Sequence, residues 1–171
     1  MHSNAFRVRA AVPADVLSLM RLKRALAVGE GSLHAVRATA FDWLRDGFGP
    51  RRGFTPFIAE MGDTAIGMAV CSQRSITGWT GQVVFLQDLF VEEDYRRYGV
   101  ARALMARVAT YACELGSPIV ELTVRAQNNP ARHFYRNNGF THLPQCLTYV
   151  LAGPALAKLA EQDKATLALA G

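Results

Sequence analysis

The stretch that most constrains this chain runs over residues 83–140, with Arg96-Arg97-Tyr98-Gly99-Val100-Ala101 at its centre. Upstream, Phe85-Leu86-Gln87-Asp88-Leu89-Phe90-Val91 is an apolar and aromatic run that stops at Glu92-Glu93-Asp94, which reads as a strand. Downstream, Val100, Ala103, Leu104, Arg107, Val108, Tyr111 and Ala112 recur mainly at three- and four-residue spacing, the pattern of an amphipathic helix. The centre is therefore a turn joining a strand to a helix N-terminus. The first amides of a helix have no intrahelical acceptor and lie at the positive end of the helix dipole, so such an end attracts anions. Arg96, Arg97 and Arg102 add cations around the turn, while Gly99 and small Ala101 let a bulky ligand approach the backbone. A pyrophosphate fits these requirements. An ordinary strand-to-helix turn with solvated arginines satisfies the same residues.

The second half narrows the choice. Ile119-Val120-Glu121-Leu122-Thr123-Val124 reads as another strand, and Ala126-Gln127-Asn128-Asn129-Pro130 punctuates it. Pro130 suits a first helical turn and Gly139 a helix C-terminus, so a short helix carries Phe134 and Tyr135. Strand, Arg-x-x-Gly-x-Ala, helix, strand, Asn, then a Phe-Tyr helix closing on Asn-Gly-Phe resembles the acetyl-CoA-binding core of the GNAT superfamily of N-acetyltransferases. Asp46-Gly47-Phe48-Gly49, Trp79, and the 85–91 run followed by Asp94-Tyr95-Arg96 are similar to the spermidine/spermine (diamine) branch, which includes thialysine-acetylating members. The likeness covers nearly the whole chain.

The resemblance implies an α/β (α+β) GNAT fold: a mixed, mostly antiparallel central sheet with helices on both faces, splayed at the acetyl-CoA site between the strands at 85–91 and 119–124. It implies acetyl-CoA as cosubstrate, a small-molecule amine as acceptor and a homodimer. Leu89, Phe90 and Val91 would offer backbone groups to the pantetheine arm. Arg96, Arg97, Tyr98, Gly99, Val100, Ala101 and Arg102 would form the pyrophosphate turn, and Asn128 would contact the pantetheine. Tyr135 matches the family's general acid; as a residue beside Phe134 it also reads as an aromatic core contact.

The base is where the chain departs from the branch. Position 87, commonly glutamate there, is Gln87, which has no titratable proton at physiological pH. Asp88 is acidic, but adjacent side chains of a regular strand point to opposite faces, so it does not simply replace residue 87. Asp88 reads equally as a buried structural carboxylate, and a water wire to Glu121 or Glu30 is the other route for the proton. Among the branch's acidic substrate contacts Glu30 is retained, though it also reads as a solvated loop charge. Gln87 is neutral, and no acidic residue lies between Phe140 and Glu161. That pattern weakens a polyamine acceptor relative to a lysine-like or thialysine-like amine. A protein or peptide amine is an alternative acceptor, and a non-catalytic acyl-CoA sensor that lost its base at Gln87 is an alternative of another class.

Composition sets the remaining bounds. At 171 residues and 50% hydrophobic content, one acetyltransferase domain is expected over residues 1–171, with a core over 6–151 and a C-terminal helix over 154–170. The net charge of +5 is dispersed, with its densest cluster at the pyrophosphate turn, so an anionic cofactor explains it without nucleic acid. No apolar run is long enough to span a bilayer, so no membrane partner and a cytoplasmic location are expected. Cys71, Cys113 and Cys146 lack ligand spacing and read as reduced, buried thiols; His2, His34, His133 and His142 show no paired spacing, so no metal is expected.

In chain order, 6–9 reads as a first strand. Pro13 opens a helix whose face is marked by Val16, Leu19, Met20, Lys23, Leu26 and Ala27, and a second helix is expected over 33–45. Residues 57–61 and 65–70 form a hairpin about Gly62-Asp63, residues 73–82 a loop, 145–151 a last strand, and 155–170 a helix.

Overall fold

The computed structural model describes residues 5–75 and 82–169, with side chains as far as residue 161. The loop expected over 73–82 is shorter than that, because Gln73, Arg74 and Ser75 continue β3 and Gln82 begins β4 as a paired ladder; its remaining residues 76–81, with Trp79, lie outside the described residues. The chain divides into two compact units, Met1–Asn128 and Asn129–Gly171.

The first unit begins with strand β1 (Arg7–Ala10), a 3-10 turn at Pro13–Asp15 and helix α1 (Val16–Gly29). Pro13 fixes the backbone for a first helical turn, and the Asp15 carboxylate accepts the Val12 amide at 2.7 Å and the Arg9 guanidinium at 2.6 Å. The single helix expected over 33–45 is instead a 3-10 turn at Leu33–Ala35 followed by helix α2 (Ala40–Phe48). Val36 between them is extended, and Thr39 starts a new helix by a reciprocal cap: its hydroxyl accepts the Asp42 amide at 3.3 Å while Asp42 accepts the Thr39 amide at 2.9 Å.

Strands β2 (Thr55–Met61) and β3 (Thr64–Ser75) form the expected hairpin about Gly62-Asp63, and β4 (Gln82–Val91) returns beside β3. Helix α3 (Val100–Glu114) and a short strand β5 (Val120–Leu122) follow. The five strands lie in the order β1-β2-β3-β4-β5, antiparallel except for the parallel β4–β5 pair.

Each face of this sheet carries a helix layer. Ile58, Met68 and Val70 pack with Val16, Leu19 and Leu22 of α1 and with Trp43 of α2. On the other face Tyr111 of α3 meets Phe57 edge-on at 5.4 Å and its hydroxyl lies 3.0 Å from that of Thr55. Leu19, Leu22, Ile66, Met68, Leu104 and Val108 are fully buried, and at roughly 1.5–3 kcal/mol for each such side chain this two-sided burial is what holds the layers together.

The expected splay is visible in the pairing. β4 is ten residues long, but β5 pairs only with Val84, Phe85 and Leu86, so residues 87–91 continue without a β5 partner. The strand expected over 119–124 is accordingly shorter, Val120–Leu122.

The second unit contains helices α4 (Asn129–Asn137) and α5 (Gly153–Leu169). Pro130 lies in the first turn of α4, and its end is closed by the Phe140 amide donating to the Tyr135 carbonyl at 3.1 Å around Gly139, whose φ of 87° is left-handed. The strand expected over 145–151 does not form: these residues are irregular, and Leu147, Tyr149 and Val150 are exposed. Their β propensity is real, but propensity produces a strand only against a paired neighbour. The thiols also differ from expectation. Cys71 is buried, whereas Cys113 and Cys146 are exposed. No helix among the described residues is long and apolar enough to cross a membrane.

Candidate active site

The turn after β4 has the backbone that its residues call for. A 3-10 turn at Glu93–Tyr95 leads to Arg97, at φ 66°, and Gly99, at φ 85°, and α3 starts immediately afterwards. Gly99 is the N-cap and contributes no side-chain cap; the first intrahelical bond is from the Ala103 amide to the Gly99 carbonyl at 3.0 Å. The amides of Val100, Ala101 and Arg102 therefore precede the intrahelical ladder, which is the arrangement an anion exploits. Arg97 is the only described non-glycine residue in the left-handed region, a conformation that costs about 1 kcal/mol. Val100 is buried and roots the helix start, while Arg97, Tyr98 and Arg102 are exposed. Arg96 is committed partly to structure, its Nε donating to the Val91 carbonyl at 3.0 Å with its guanidinium 5.9 Å from the Phe90 ring centre.

Upstream, β4 is not a regular strand. Asp88 pairs with Val70 and Leu86 pairs with Cys71, so Gln87 is an extra residue between two consecutive partners, a β-bulge. The pairing is therefore not that of the regular strand expected here. Val70 belongs to the α1 face, and Asp88 shares that face because Lys23 Nζ of α1 donates to its Oδ1 at 2.6 Å. Leu86, opposite Cys71, faces the other layer, so regular alternation would put Asp88 there too, and the bulge is what turns it to the α1 face. The bulge thus brings a mostly buried carboxylate to the α1 side of the sheet, next to the exposed Gln87, at the point where β5 stops pairing.

The other acidic candidates also have partners. Glu121 of β5 stands beside Phe85 of β4 and is ion-paired with Arg74, whose guanidinium lies 4.2 Å from the Phe85 ring centre. Glu92 is ion-paired with Arg21 of α1. Glu30 is exposed at the end of α1; its carboxylate is 3.5 Å from the Ser32 hydroxyl, and its backbone carbonyl accepts Arg125 Nη1 at 2.8 Å. Asn128 ends the turn after β5, its amide donating to the Arg125 carbonyl at 2.9 Å.

Within the second unit, α4 holds Tyr135 between two rings, with Phe134 at 5.4 Å and Phe140 at 5.5 Å, both edge-on. Burial disfavours the phenolate, and the Tyr135 phenol is pushed up to about 12.

Leu89, Phe90, Val91 and the residues from Arg96 to Arg102 are thus one continuous strand–turn–helix unit, with Gln87 and Asp88 just upstream and Glu121 joined to it through the β4–β5 pair. Lys23, Arg74 and Arg21, the basic partners of this region's carboxylates, were not assigned a role from the sequence. The signal for Lys23 was its place on the otherwise apolar face of α1.

An opened strand edge running into an anion-attracting helix end is an architecture suited to an acyl-CoA-using transferase. An acetyltransferase (GNAT) family model matches residues 20–140, more than half of the chain, which therefore belongs to the GNAT family and is an acetyl-CoA-dependent N-acetyltransferase acting on an amine. Among curated relatives, a mouse thialysine N-epsilon-acetyltransferase is 29% identical over 165 residues, covering 90% of this chain and 96% of that one. The human spermidine/spermine N(1)-acetyltransferase-like protein 1 is 30% identical over 141 residues, 78% of this chain, but the match spans only 20% of that longer protein. Among solved structures, an aminoglycoside N-acetyltransferase in complex with CoA superposes with a TM-score of 0.64 at 24% identity, covering 86% of this chain and 100% of that one.

Proposed function

We propose that this chain transfers acetyl from acetyl-CoA directly to a primary amine of a small molecule, either lysine-like or thialysine-like, or of the diamine type. The observation that carries the proposal is the bulged, half-unpaired β4 leading without a side-chain cap into α3. Acetyl-CoA supplies an activated thioester; the residues of the chain hold it, receive the amine and move protons. The backbone of Leu89, Phe90 and Val91 lines the pantetheine arm and Asn128 contacts it, while Arg96, Arg97, Tyr98, Gly99, Val100, Ala101 and Arg102 form the pyrophosphate turn. Gln87 and Asp88 meet the amine, with Glu30 and Glu121 as further acidic contacts. As the amine nitrogen bonds to the carbonyl carbon and the carbon–sulfur bond breaks, Tyr135 donates its proton to the leaving sulfur, and the proton lost by the nitrogen passes through water to Glu121 or Glu30, from where solvent reprotonates the phenol. A phenol titrating at about 12 is fully protonated at neutral pH, which supports an acid role.

The mouse thialysine relative, matched over nearly its whole length, supports a small-molecule acceptor. The proposal also treats residues 1–171 as one acetyltransferase domain, forming a cytoplasmic homodimer; light scattering on the purified chain and cell fractionation test the last two points. The activity itself is tested by thiol release from acetyl-CoA against spermidine, putrescine, thialysine, lysine and a short peptide. Selective turnover of one small amine is expected, with Tyr135→Phe lowering kcat about 100-fold while the KM for acetyl-CoA stays within a few-fold. Turnover of the peptide alone would move the acceptor to proteins, and acetyl-CoA binding with no turnover of any amine would make the chain a sensor.

A further inference from the structure

We infer that Lys23 selects the acceptor, acting as a fixed cation that favours an amine bearing its own carboxylate and disfavours a polycation. The inference rests on the small-amine reading above and specifies its substrate class.

Lys23 Nζ donates to Asp88 Oδ1 at 2.6 Å, and the two side chains are 30% and 14% exposed, so this pair is well withdrawn from water. Removing one partner from such a pair leaves the other charge poorly solvated, which is far costlier than breaking an exposed pair. The β4 bulge brings Asp88 to the α1 face beside Gln87. Lys23 lies on an otherwise apolar face of α1, and no other lysine occurs before Lys158.

Two further carboxylates of this region are also ion-paired. Glu121 is paired with Arg74, which is stacked on Phe85, and Glu92 is paired with Arg21. A diamine or polyamine that brings an ammonium to Asp88 must displace Lys23 and then sits beside a cation with no compensating group of its own. Like charges juxtaposed in this way disfavour the wrong ligand. A molecule with both an ammonium and a carboxylate avoids this: its ammonium takes Asp88, its carboxylate takes Lys23, and every charge keeps a partner.

Lysine and cadaverine make the matched test, because cadaverine is lysine without the carboxylate. Steady-state thiol release from acetyl-CoA is measured with both amines and with spermidine, for the wild type, Lys23→Met and Lys23→Arg. The wild type should favour lysine over cadaverine in kcat/KM by about tenfold. Lys23→Met should erase or invert that ratio by raising cadaverine and spermidine and lowering lysine, whereas Lys23→Arg should retain it, and the KM for acetyl-CoA should change less than twofold in both. A purely structural Lys23 would shift all amines together, and a lysine-to-cadaverine ratio unmoved by Lys23→Met overturns the inference while leaving the acetyltransferase reading intact. The wild-type ratio needs no variant to fold, and a wild type that prefers cadaverine also overturns it. If the wild type binds acetyl-CoA but turns over no amine, the acetyltransferase reading falls and this inference falls with it.

Discussion

Tyr135 and Cys71 respond to burial in the same way: each is pushed up to about 12, because the neutral phenol and thiol tolerate an apolar environment better than their anions. For Tyr135, the proposed general acid, this keeps the phenol protonated at neutral pH. For Cys71, 1% exposed in β3, it makes the thiol unreactive and couples it to stability. The native chain holds a proton that an unfolded thiol releases above about pH 8.5. Stability from Cys71 is therefore fully present below that pH and is lost as pH rises towards 12. Urea unfolding between pH 8 and 11 should show a steeper fall in midpoint for the wild type than for Cys71→Ala; equal slopes would mean that Cys71 does not titrate with unfolding.

Among elements, β4 is held in register by close approaches that leave little freedom. Gly67 of β3 lies opposite Val91, and a methyl group added there would sit 2.8 Å from the Phe90 carbonyl oxygen and 3.3 Å from both Leu104 Cδ1 and Val91 Cγ2. The carbonyl is backbone and cannot swing aside, so Gly67→Ala must displace β4 at the residues proposed to hold the pantetheine. A loss of about 1–3 kcal/mol in stability is expected, with a higher KM for acetyl-CoA, measured by thermal unfolding and initial rates. A variant with wild-type stability and KM would show that β4 yields without consequence. The same scale explains α2: Thr39 and Asp42 are near neighbours, so the helix start is local information, whereas its inner face is set by Trp43 meeting Phe54 edge-on at 5.1 Å.

For the molecule as a whole the net charge is +5, and the exposed Arg97 and Arg102 flank the α3 N-terminus proposed to take the pyrophosphate. Contacts of that kind are screened by salt. The KM for acetyl-CoA should therefore rise several-fold between about 0.05 and 0.5 M salt, while the KM for the amine changes less. A salt-independent acetyl-CoA KM would count against arginine anchoring of the pyrophosphate. Strand and helix periods, the Pro13 and Pro130 helix starts, and Gly99 and Gly139 are properties of adjacent residues, so β2 to β4, α1, α3 and α4 were legible from the chain alone, as was the stretch resembling the acetyl-CoA site. What tertiary structure alone decided depends on residues far apart in sequence. Lys23 and Asp88 are 65 positions apart. The bulge at Gln87 exists only relative to Val70 and Cys71, and the run at 145–151 stays irregular because strand propensity requires a partner. Local spacing specifies which groups a segment can present; only packing and pairing specify the groups they meet.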